Sequence, residues 1–309
     1  MVPDVWINSE ANEYFIKKSR LLTVKMKISA LVKILRPRNA VMAGGAVVLG
    51  YWLTGSEYSV QRVVFLVMAA IASTGFGNVL NDILDISTDR ISHPDRPLPR
   101  GDISVAQASI YTVLLVITAL SLSFSISPAH GIATLVPLVI LLLYAFFLKG
   151  TQLAGNMVVA SLVAYALLYG GINRPAFHIL LMPAFLAFLL NLPREIIKDI
   201  QDETGDRIAG YTTTASLPRS LLKGIIYSCS GIYLVLLFMP FILAQFGFIY
   251  GLISLSVVLP IHIKRATLFR SGMETMLSRI SALYKVEMVA GLAALAADKL
   301  FLSSIHLVR

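Results

Sequence analysis

Charged residues are scarce in this chain, and what is missing narrows the class of protein. Only 14% of the 309 residues are Asp, Glu, Lys or Arg, whereas a soluble domain carries about 25%. The single cysteine, Cys229, cannot form a disulfide framework. No apolar stretch followed by a small-residue cleavage site occurs near the N-terminus, so we expect no signal peptide. These absences argue against a soluble enzyme and against a disulfide-stabilised secreted domain.

Apolar residues dominate the chain instead. They make up 57% of the sequence, and the mean hydropathy is +0.77. About 20 helical residues cross the hydrocarbon core of a bilayer, so apolar runs of that length predict membrane spans. We predict an all-α, multi-pass membrane protein that forms one domain over residues 1–309. The predicted spans number about nine and lie near residues 38–54, 63–84, 106–126, 131–148, 154–171, 177–197, 221–243, 246–263 and 284–304.

The basic residues are distributed unevenly along the chain. A net charge of +9 could indicate nucleic-acid binding. With the N-terminus on the cytoplasmic side, however, 22 of the 26 Lys and Arg residues fall in cytoplasmic segments, which is the positive-inside bias of membrane proteins. We therefore predict a cell-membrane protein with a cytoplasmic N-terminus and no nucleic-acid partner. Residues 1–35 should lie in the cytoplasm or on the inner leaflet.

The acidic residues concentrate in two short windows, 82–102 and 195–206, which hold ten of the 17 Asp and Glu residues. The windows follow the second and the sixth predicted spans. An even number of spans separates them, so both windows should face the same side of the membrane. The offset of four spans suggests an internal duplication of a four-helix unit, with a ninth helix added.

Within each window the acidic residues recur at helical spacing and should form one stripe. The first stripe comprises Asn81, Asp82, Asp85 and Asp89, and the second comprises Glu195, Asp199, Asp202 and Asp206. Stacked like charges repel each other, and ionisable groups at a membrane boundary are typically functional. Oxygen ligands of this kind suit Mg²⁺, which completes its shell with substrate phosphates and water. One such cluster could be only a solvated helix face, but two on the same side favour a Mg²⁺ site.

Basic residues flank both clusters, namely Arg90, Arg96, Arg100, Arg194, Lys198 and Arg207. A metal ion does not need them, but a polyanion such as a diphosphate does. Any single one could serve only the positive-inside bias. Lys149 follows Tyr144 at the end of the fourth span and could be a snorkelling end residue.

These motifs resemble those of a known family. The run from Asn81 to Asp89, followed by Arg-Pro-Leu-Pro-Arg-Gly at 96–101, resembles the first signature of the UbiA superfamily of intramembrane prenyltransferases. Residues 199–206 match its second aspartate motif, and residues 36–39 and 155–156 resemble further family elements. The resemblance covers nearly the whole chain. It implies nine helices around a central cavity and Mg²⁺-dependent transfer of a prenyl group from an allylic diphosphate to an aromatic, porphyrin-type or lipid acceptor.

The resemblance also implies roles for individual residues. The implied metal ligands are Asn81, Asp82, Asp85, Asp89, Asp199, Asp202 and Asp206, among which Asp85, Asp89, Asp199 and Asp202 are the catalytic candidates. The implied substrate-binding residues are Asn81, Arg96, Arg100, Tyr144, Lys149, Asn156, Arg194 and Lys198. In such an enzyme metal ions and cations stabilise the departing diphosphate, and an apolar cavity excludes water. Candidates for stabilising the allylic cation are Tyr144, Tyr165 and Tyr169.

Residues 93–104 and 191–206 most resemble archaeal members of the superfamily. Those enzymes transfer a geranylgeranyl group from geranylgeranyl diphosphate to the free hydroxyl of geranylgeranylglyceryl phosphate, in ether-lipid synthesis. A phosphate-bearing acceptor would explain the surplus of cations. An aromatic acceptor of a quinone pathway remains an alternative. A cation-coupled transporter is a more remote one, because its carboxylates would lie near the membrane midplane. Nothing in the sequence indicates an obligate protein partner.

Overall fold

The computed structural model describes residues 27–55, 57–148, 151–208, 210, 212–272 and 276–307, and in these ranges it contains helices and no β-strand. This confirms the all-α prediction. The α-helices are α1 (Ile28–Ile34), α2 (Pro37–Leu53), α3 (Val60–Leu84), α4 (Ile86–Ser92), α5 (Val105–Ile126), α6 (Pro128–Leu143), α7 (Ala154–Gly170), α8 (Leu181–Ile208), α9 (Arg219–Leu236), α10 (Met239–Ile242), α11 (Phe248–Ile253), α12 (Leu259–Gly272) and α13 (Leu277–Leu307). Two π-helical turns, Tyr144–Leu148 and Ser254–Val258, extend α6 and join α11 to α12.

Within the described ranges, seven helical segments are long and apolar enough to cross a membrane. They are Val60–Leu84, Val105–Ile126, Pro128–Leu148, Phe177–Thr204, Arg219–Ile242, Phe248–Ser271 and Leu277–Ser304. The first and fifth predicted spans correspond to α2 and α7. Each of these has 17 residues and rises about 26 Å, at the short end of the range for a span. The multi-pass prediction is confirmed, and the count of nine stays a prediction.

Several helices extend beyond the predicted boundaries. The predicted eighth span ended at residue 263, but α12 continues to Gly272. Arg265, which lies beyond the predicted end of that span, is therefore helical and only 1% exposed. Its Nε donates to Oε2 of the fully buried Glu287 at 2.6 Å, and Oε1 of Glu287 lies 2.7 Å from Nδ1 of His262. The prediction was wrong because a charged residue can stay inside the bundle when its partner is buried with it.

Small residues allow α2 and α7 to cross closely. A Cβ added at Gly50 would lie 2.0 Å from the Leu167 carbonyl oxygen, and one added at Gly170 would lie 2.0 Å from the Val47 carbonyl oxygen. Only glycine permits such backbone contact, which is a common way for helices to associate in lipid. The crossing brings α2 and α7 together on one wall of the bundle.

The short helix α1 connects the start of the described chain to the loop after α4. Its apolar side packs Ile34 into a core formed with α3 and α5. Beside it, Lys27 Nζ donates to Asp102 Oδ1 at 2.7 Å, and Lys33 Nζ donates to the Asp95 carbonyl at 2.8 Å. The hydrogen bond from Lys27 lowers the pKa of the Asp102 carboxyl below its usual range. These contacts tie α1 to the loop that carries the Arg-Pro-Leu-Pro-Arg-Gly run.

Candidate active site

The helices enclose a cavity of about 1210 Å³, which is larger than the roughly 300–1,000 Å³ of most small-molecule sites. Helices α2, α3, α6, α7, α8 and α13 contribute to its wall, and the middle of the wall is largely apolar. Because successive spans alternate in direction, the C-terminal ends of α3 and α8 lie at the same end of the bundle. Both aspartate motifs are there, and we call this the acidic end of the cavity.

The first motif does not lie on one continuous helix. Helix α3 ends at Leu84, Asp85 occupies the junction with φ −93° and ψ 5°, and α4 starts again at Ile86. The expected single stripe is therefore broken at Asp85. The break still leaves Asn81, Asp85 and Asp89 on the cavity wall.

Asp82 takes part in a different contact. Its side chain is almost fully buried, and its Oδ1 accepts a hydrogen bond from Arg36 at 2.5 Å. Arg36 immediately precedes α2, so this ion pair joins the start of α2 to the end of α3. The motif residue Asp82 thus has a structural partner of its own.

Asp89 is bound by Arg96 from the following loop. The Nη1 atom of Arg96 lies 2.6 Å from both carboxylate oxygens of Asp89 and 3.6 Å from Oδ1 of Asp82. Both Arg96 and Asp89 line the cavity. Leu98 anchors this loop in the core between α3 and α5, which fixes the position of Arg96. By contrast, Arg100 is nearly half exposed and pairs with Asp102 at 3.3 Å.

The second motif lies on α8, which extends to Ile208. Asp202 and Glu195 line the cavity. Asp199 turns toward the start of α7, where its Oδ2 accepts a hydrogen bond from Asn156 Nδ2 at 3.0 Å. Thr214 also hydrogen-bonds to Asp199. Two predicted groups, Lys149 and the side chain of Asp206, lie outside the described residues.

Cations surround Glu195 at the acidic end. Arg194 Nη1 donates to Glu195 Oε1 at 2.6 Å, and Lys198 Nζ donates to Oε2 at 3.3 Å. Lys285 of α13 lines the same part of the cavity, close enough for the charges of Arg194 and Lys198 to act on it. Sequence reasoning missed Lys285. The sequence does place a lysine near the start of the last predicted span, but only the fold shows that α13 packs against α8 and brings this lysine to the acidic end.

The three tyrosines occupy different ends of the cavity. Tyr144 lines it where α6 approaches the acidic end, and its ring packs near Gly155 at the start of α7. Tyr165 and Tyr169 also line the cavity but belong to the last turns of α7. From Asn156 to Tyr169 the helix rises about 20 Å. Of the three tyrosines, Tyr144 is therefore the one at the acidic end.

The possible metal ligands at the acidic end are consistent with a metal ion that the protein and the substrate bind together. Among the described residues, no group of three or more His, Cys, Asp and Glu side chains is close enough to hold a metal by itself. The carboxylates instead face each other across the cavity from the α3–α4 junction and from α8. Mg²⁺ commonly uses one or two carboxylates and takes its remaining ligands from substrate phosphates and water. The residues present fit a Mg²⁺–diphosphate rather than a preformed metal cage.

A helical bundle with an apolar cavity and an acidic, cation-lined end defines an intramembrane enzyme for amphiphiles with anionic head groups. Residues 43–276 match the model of the UbiA prenyltransferase family. The chain belongs to this family of prenyltransferases, which confirms the resemblance drawn from its motifs.

Proteins similar to this chain over most of its length belong to one group within the family. Digeranylgeranylglyceryl phosphate synthase of Natronomonas pharaonis is 34% identical over 229 residues, which are 72% of this chain and 82% of that protein. The synthase of Methanothermobacter thermautotrophicus is 32% identical over 270 residues, which are 86% and 94% of the two chains.

Solved structures share the fold. A structure described as that of digeranylgeranylglyceryl phosphate synthase in membranes is 25% identical, with a TM-score of 0.76 over 88% of this chain and 98% of that one. A UbiA homolog from Archaeoglobus fulgidus bound to GPP and Mg²⁺ is 18% identical, with a TM-score of 0.66 over 86% and 99%. These similarities confirm the UbiA-type fold.

Proposed function

We propose that this chain transfers the geranylgeranyl group of geranylgeranyl diphosphate to the free hydroxyl of geranylgeranylglyceryl phosphate. The observation that carries the proposal is the composition of the acidic end. Two carboxylate motifs meet there at an apolar cavity, together with four cations, Arg96, Arg194, Lys198 and Lys285. The synthases that make the corresponding archaeal ether lipid are relatives over most of the chain, which supports the same assignment.

The donor head group belongs between the two motifs. Asn81, Asp85 and Asp89 on one wall and Asp202 on the other would hold Mg²⁺, which fits the oxygen-only donor set. When bound, the metal supplies charge neutralisation to the departing diphosphate. Asp199 and Asp206 remain proposed ligands. Asp199 is not among the residues that line the cavity, so its carboxylate would have to turn toward the cavity to join them.

Arg96 is the cation best placed for the leaving group. Without substrate its guanidinium compensates the buried Asp89. A diphosphate offers a second set of charged oxygens that the same planar group can bind. We therefore assign Arg96 to the donor head group, where it would stabilise the charge that develops as the bond breaks.

The cavity wall determines what captures the prenyl group. The bond from prenyl C1 to the diphosphate oxygen breaks, and its electron pair leaves with the diphosphate. The acceptor oxygen then bonds to C1, and its proton passes to the released diphosphate. Water would compete for C1, so an apolar wall that excludes water favours the ether product. Tyr144 is the ring positioned to stabilise positive charge on C1.

The acceptor phosphate requires its own cations, because an unpaired charge in a low-dielectric site is costly. Arg194, Lys198 and Lys285 supply three positive charges beside Glu195, and Lys198 is also close to Asp199. We assign this group to the acceptor phosphate. Lys149 remains a further candidate, and an acceptor bound here would lie beside the donor head group.

The orientation proposed from the charge distribution places the N-terminus and the acidic end on the cytoplasmic side. Single cysteines introduced at positions 95 and 204 test it. Both should react with a membrane-impermeant thiol reagent only from the cytoplasmic side. Labelling from opposite sides would contradict the proposal.

The function itself is tested by product identification. Purified protein is incubated with geranylgeranyl diphosphate, Mg²⁺ and a panel of acceptors, namely geranylgeranylglyceryl phosphate, hydroxybenzoate and dihydroxynaphthoate. We expect mass spectrometry to find the diether of the glycerol phosphate. A prenylated aromatic product with no diether would refute the acceptor assignment and leave the prenyltransferase family assignment standing.

A further inference from the structure

At the end of the cavity opposite the aspartates, a tyrosine that lines the wall is held by hydrogen bonds to two neighbouring helices. The Tyr169 hydroxyl lies 2.7 Å from Ser123 Oγ and accepts a hydrogen bond from Thr134 Oγ1 at 3.1 Å. Thr134 Oγ1 also lies 2.7 Å from Ser123 Oγ, and its single hydroxyl proton is shared between these two acceptors. The ring of His130 packs edge-on against the Tyr169 ring at 5.6 Å between centroids. Partners from α5 and α6 thus hold the ring of an α7 residue.

This cluster lies at the end remote from the carboxylates. Ser123 is in the last turn of α5, Thr134 in the second turn of α6, and Tyr169 in the last turn of α7. These helix ends meet at the membrane face opposite the C-terminal ends of α3 and α8. Tyr169 and Thr134 line the cavity there. Tyr169 therefore combines a position on the cavity wall with a hydroxyl that is bonded to α5 and α6.

The distance agrees with the proposed donor. From Asn156, which contacts the second motif through Asp199, to Tyr169 helix α7 rises about 20 Å. An extended geranylgeranyl chain has fifteen bonds along its main chain. At about 3.6 Å for every three bonds it spans about 18 Å. A tail of this length would reach the ring, and one further isoprene unit would collide with it.

We propose that Tyr169 is the floor of the prenyl-tail tunnel and determines the longest donor that the enzyme accepts. The proposal rests on the assignment of a prenyl diphosphate as donor. It does not depend on which acceptor is used. Rigidity is what gives the floor its selectivity, because a ring tied to two hydroxyls cannot swing aside at little cost.

Binding without acceptor tests the proposal. The assay is competition: farnesyl, geranylgeranyl and geranylfarnesyl diphosphate are each added to purified protein in detergent with Mg²⁺, and displacement of radiolabelled geranylgeranyl diphosphate is measured. The wild type should bind geranylgeranyl diphosphate more tightly than the longer donor. Tyr169→Ala removes about the volume of one isoprene unit, and should raise the relative affinity for geranylfarnesyl diphosphate more than about tenfold, the scale on which pockets discriminate added apolar groups. Tyr169→Trp should shift preference toward farnesyl diphosphate.

Two control variants separate a floor from a general packing defect. Tyr51 is buried in the same apolar cluster as Tyr169 but does not line the cavity. Tyr51→Ala should lower stability and leave the donor preference unchanged. Tyr169→Phe keeps the ring but removes its hydrogen bonds to Ser123 and Thr134, so its discrimination against the longer donor should fall between those of the wild type and Tyr169→Ala.

The outcomes distinguish this inference from the proposed function. If Tyr169→Ala folds but keeps the wild-type preference, or if Tyr51→Ala shifts it equally, Tyr169 is not the floor. A shifted preference in a protein that does not prenylate geranylgeranylglyceryl phosphate would support the floor and refute the acceptor. Failure of the wild type to bind any of the three donors would overturn both.

Discussion

Replacing Arg96 with Gln should impair catalysis more than it impairs folding. The substitution removes the guanidinium that lies 2.6 Å from both oxygens of Asp89. It also removes the cation assigned to the departing diphosphate. Losing one such stabilising group typically costs about 10²–10³ in kcat, or roughly 2.7–4 kcal/mol of transition-state stabilisation.

The stability cost should be smaller than that of breaking a fully buried pair. Such a break costs about 3–5 kcal/mol, but the Arg96 side chain is 28% exposed, and water reaching it reduces the loss. We therefore expect folded protein with a modestly lower unfolding temperature in detergent.

Two further substitutions make the Arg96 measurement specific. Arg96→Lys keeps the charge but loses the planar fork, so its kcat should fall between those of the wild type and Arg96→Gln. Arg90 follows Asp89 directly but is exposed, and Arg90→Gln should stay near the wild-type rate. The assay is release of inorganic diphosphate at saturating donor and acceptor. Arg96→Gln with kcat within about twofold of the wild type, or equal losses in both Gln variants, would refute the assignment.

Four other variants, one of them with a matched control, test the metal ligands, the acceptor site and the helix crossing. Asp85→Ala and Asp202→Ala should each lower kcat by about 10²–10³, and wild-type rates at limiting Mg²⁺ would show that the residue is not a ligand. Lys285→Gln should raise the acceptor KM far more than the donor KM, an effect lost with an acceptor lacking phosphate. Gly170→Ala places a Cβ against the Val47 carbonyl and should destabilise the protein by about 1–3 kcal/mol. A Cβ added at Gly231 meets no atom within 4 Å, so Gly231→Ala should leave the stability unchanged. Equal unfolding temperatures for the two variants would contradict the close crossing of α2 and α7.

Hydropathy and motif spacing were sufficient to predict the fold class and the family. Long apolar runs predict helices in lipid because backbone groups must be satisfied within each segment. The spacing of the aspartates predicted which residues lie near one another at the acidic end. Asn81, Asp85, Asp89 and Asp202 do line one cavity.

What the sequence could not predict depends on contacts between distant segments. The break at Asp85 and the turn of Asp199 toward Asn156 arise from tertiary packing rather than from local helix preference. The same limit applies to Arg265, whose place inside α12 depends on Glu287 from another helix. Lys285 reaches the acidic end only because α13 packs beside α8. A hydropathy profile scores each of these charged residues as solvent-exposed, because it carries no information about the distant residues that pair with them.

The most direct test of the central claim is the stoichiometry of the reaction. Purified protein receives geranylgeranyl diphosphate, geranylgeranylglyceryl phosphate and Mg²⁺, and both inorganic diphosphate and the lipid product are quantified over time. The account predicts that one diphosphate is released for each digeranylgeranylglyceryl phosphate formed, and that release stops when the acceptor is omitted. Diphosphate release that ignores the acceptor, with geranylgeraniol as the product, would contradict it.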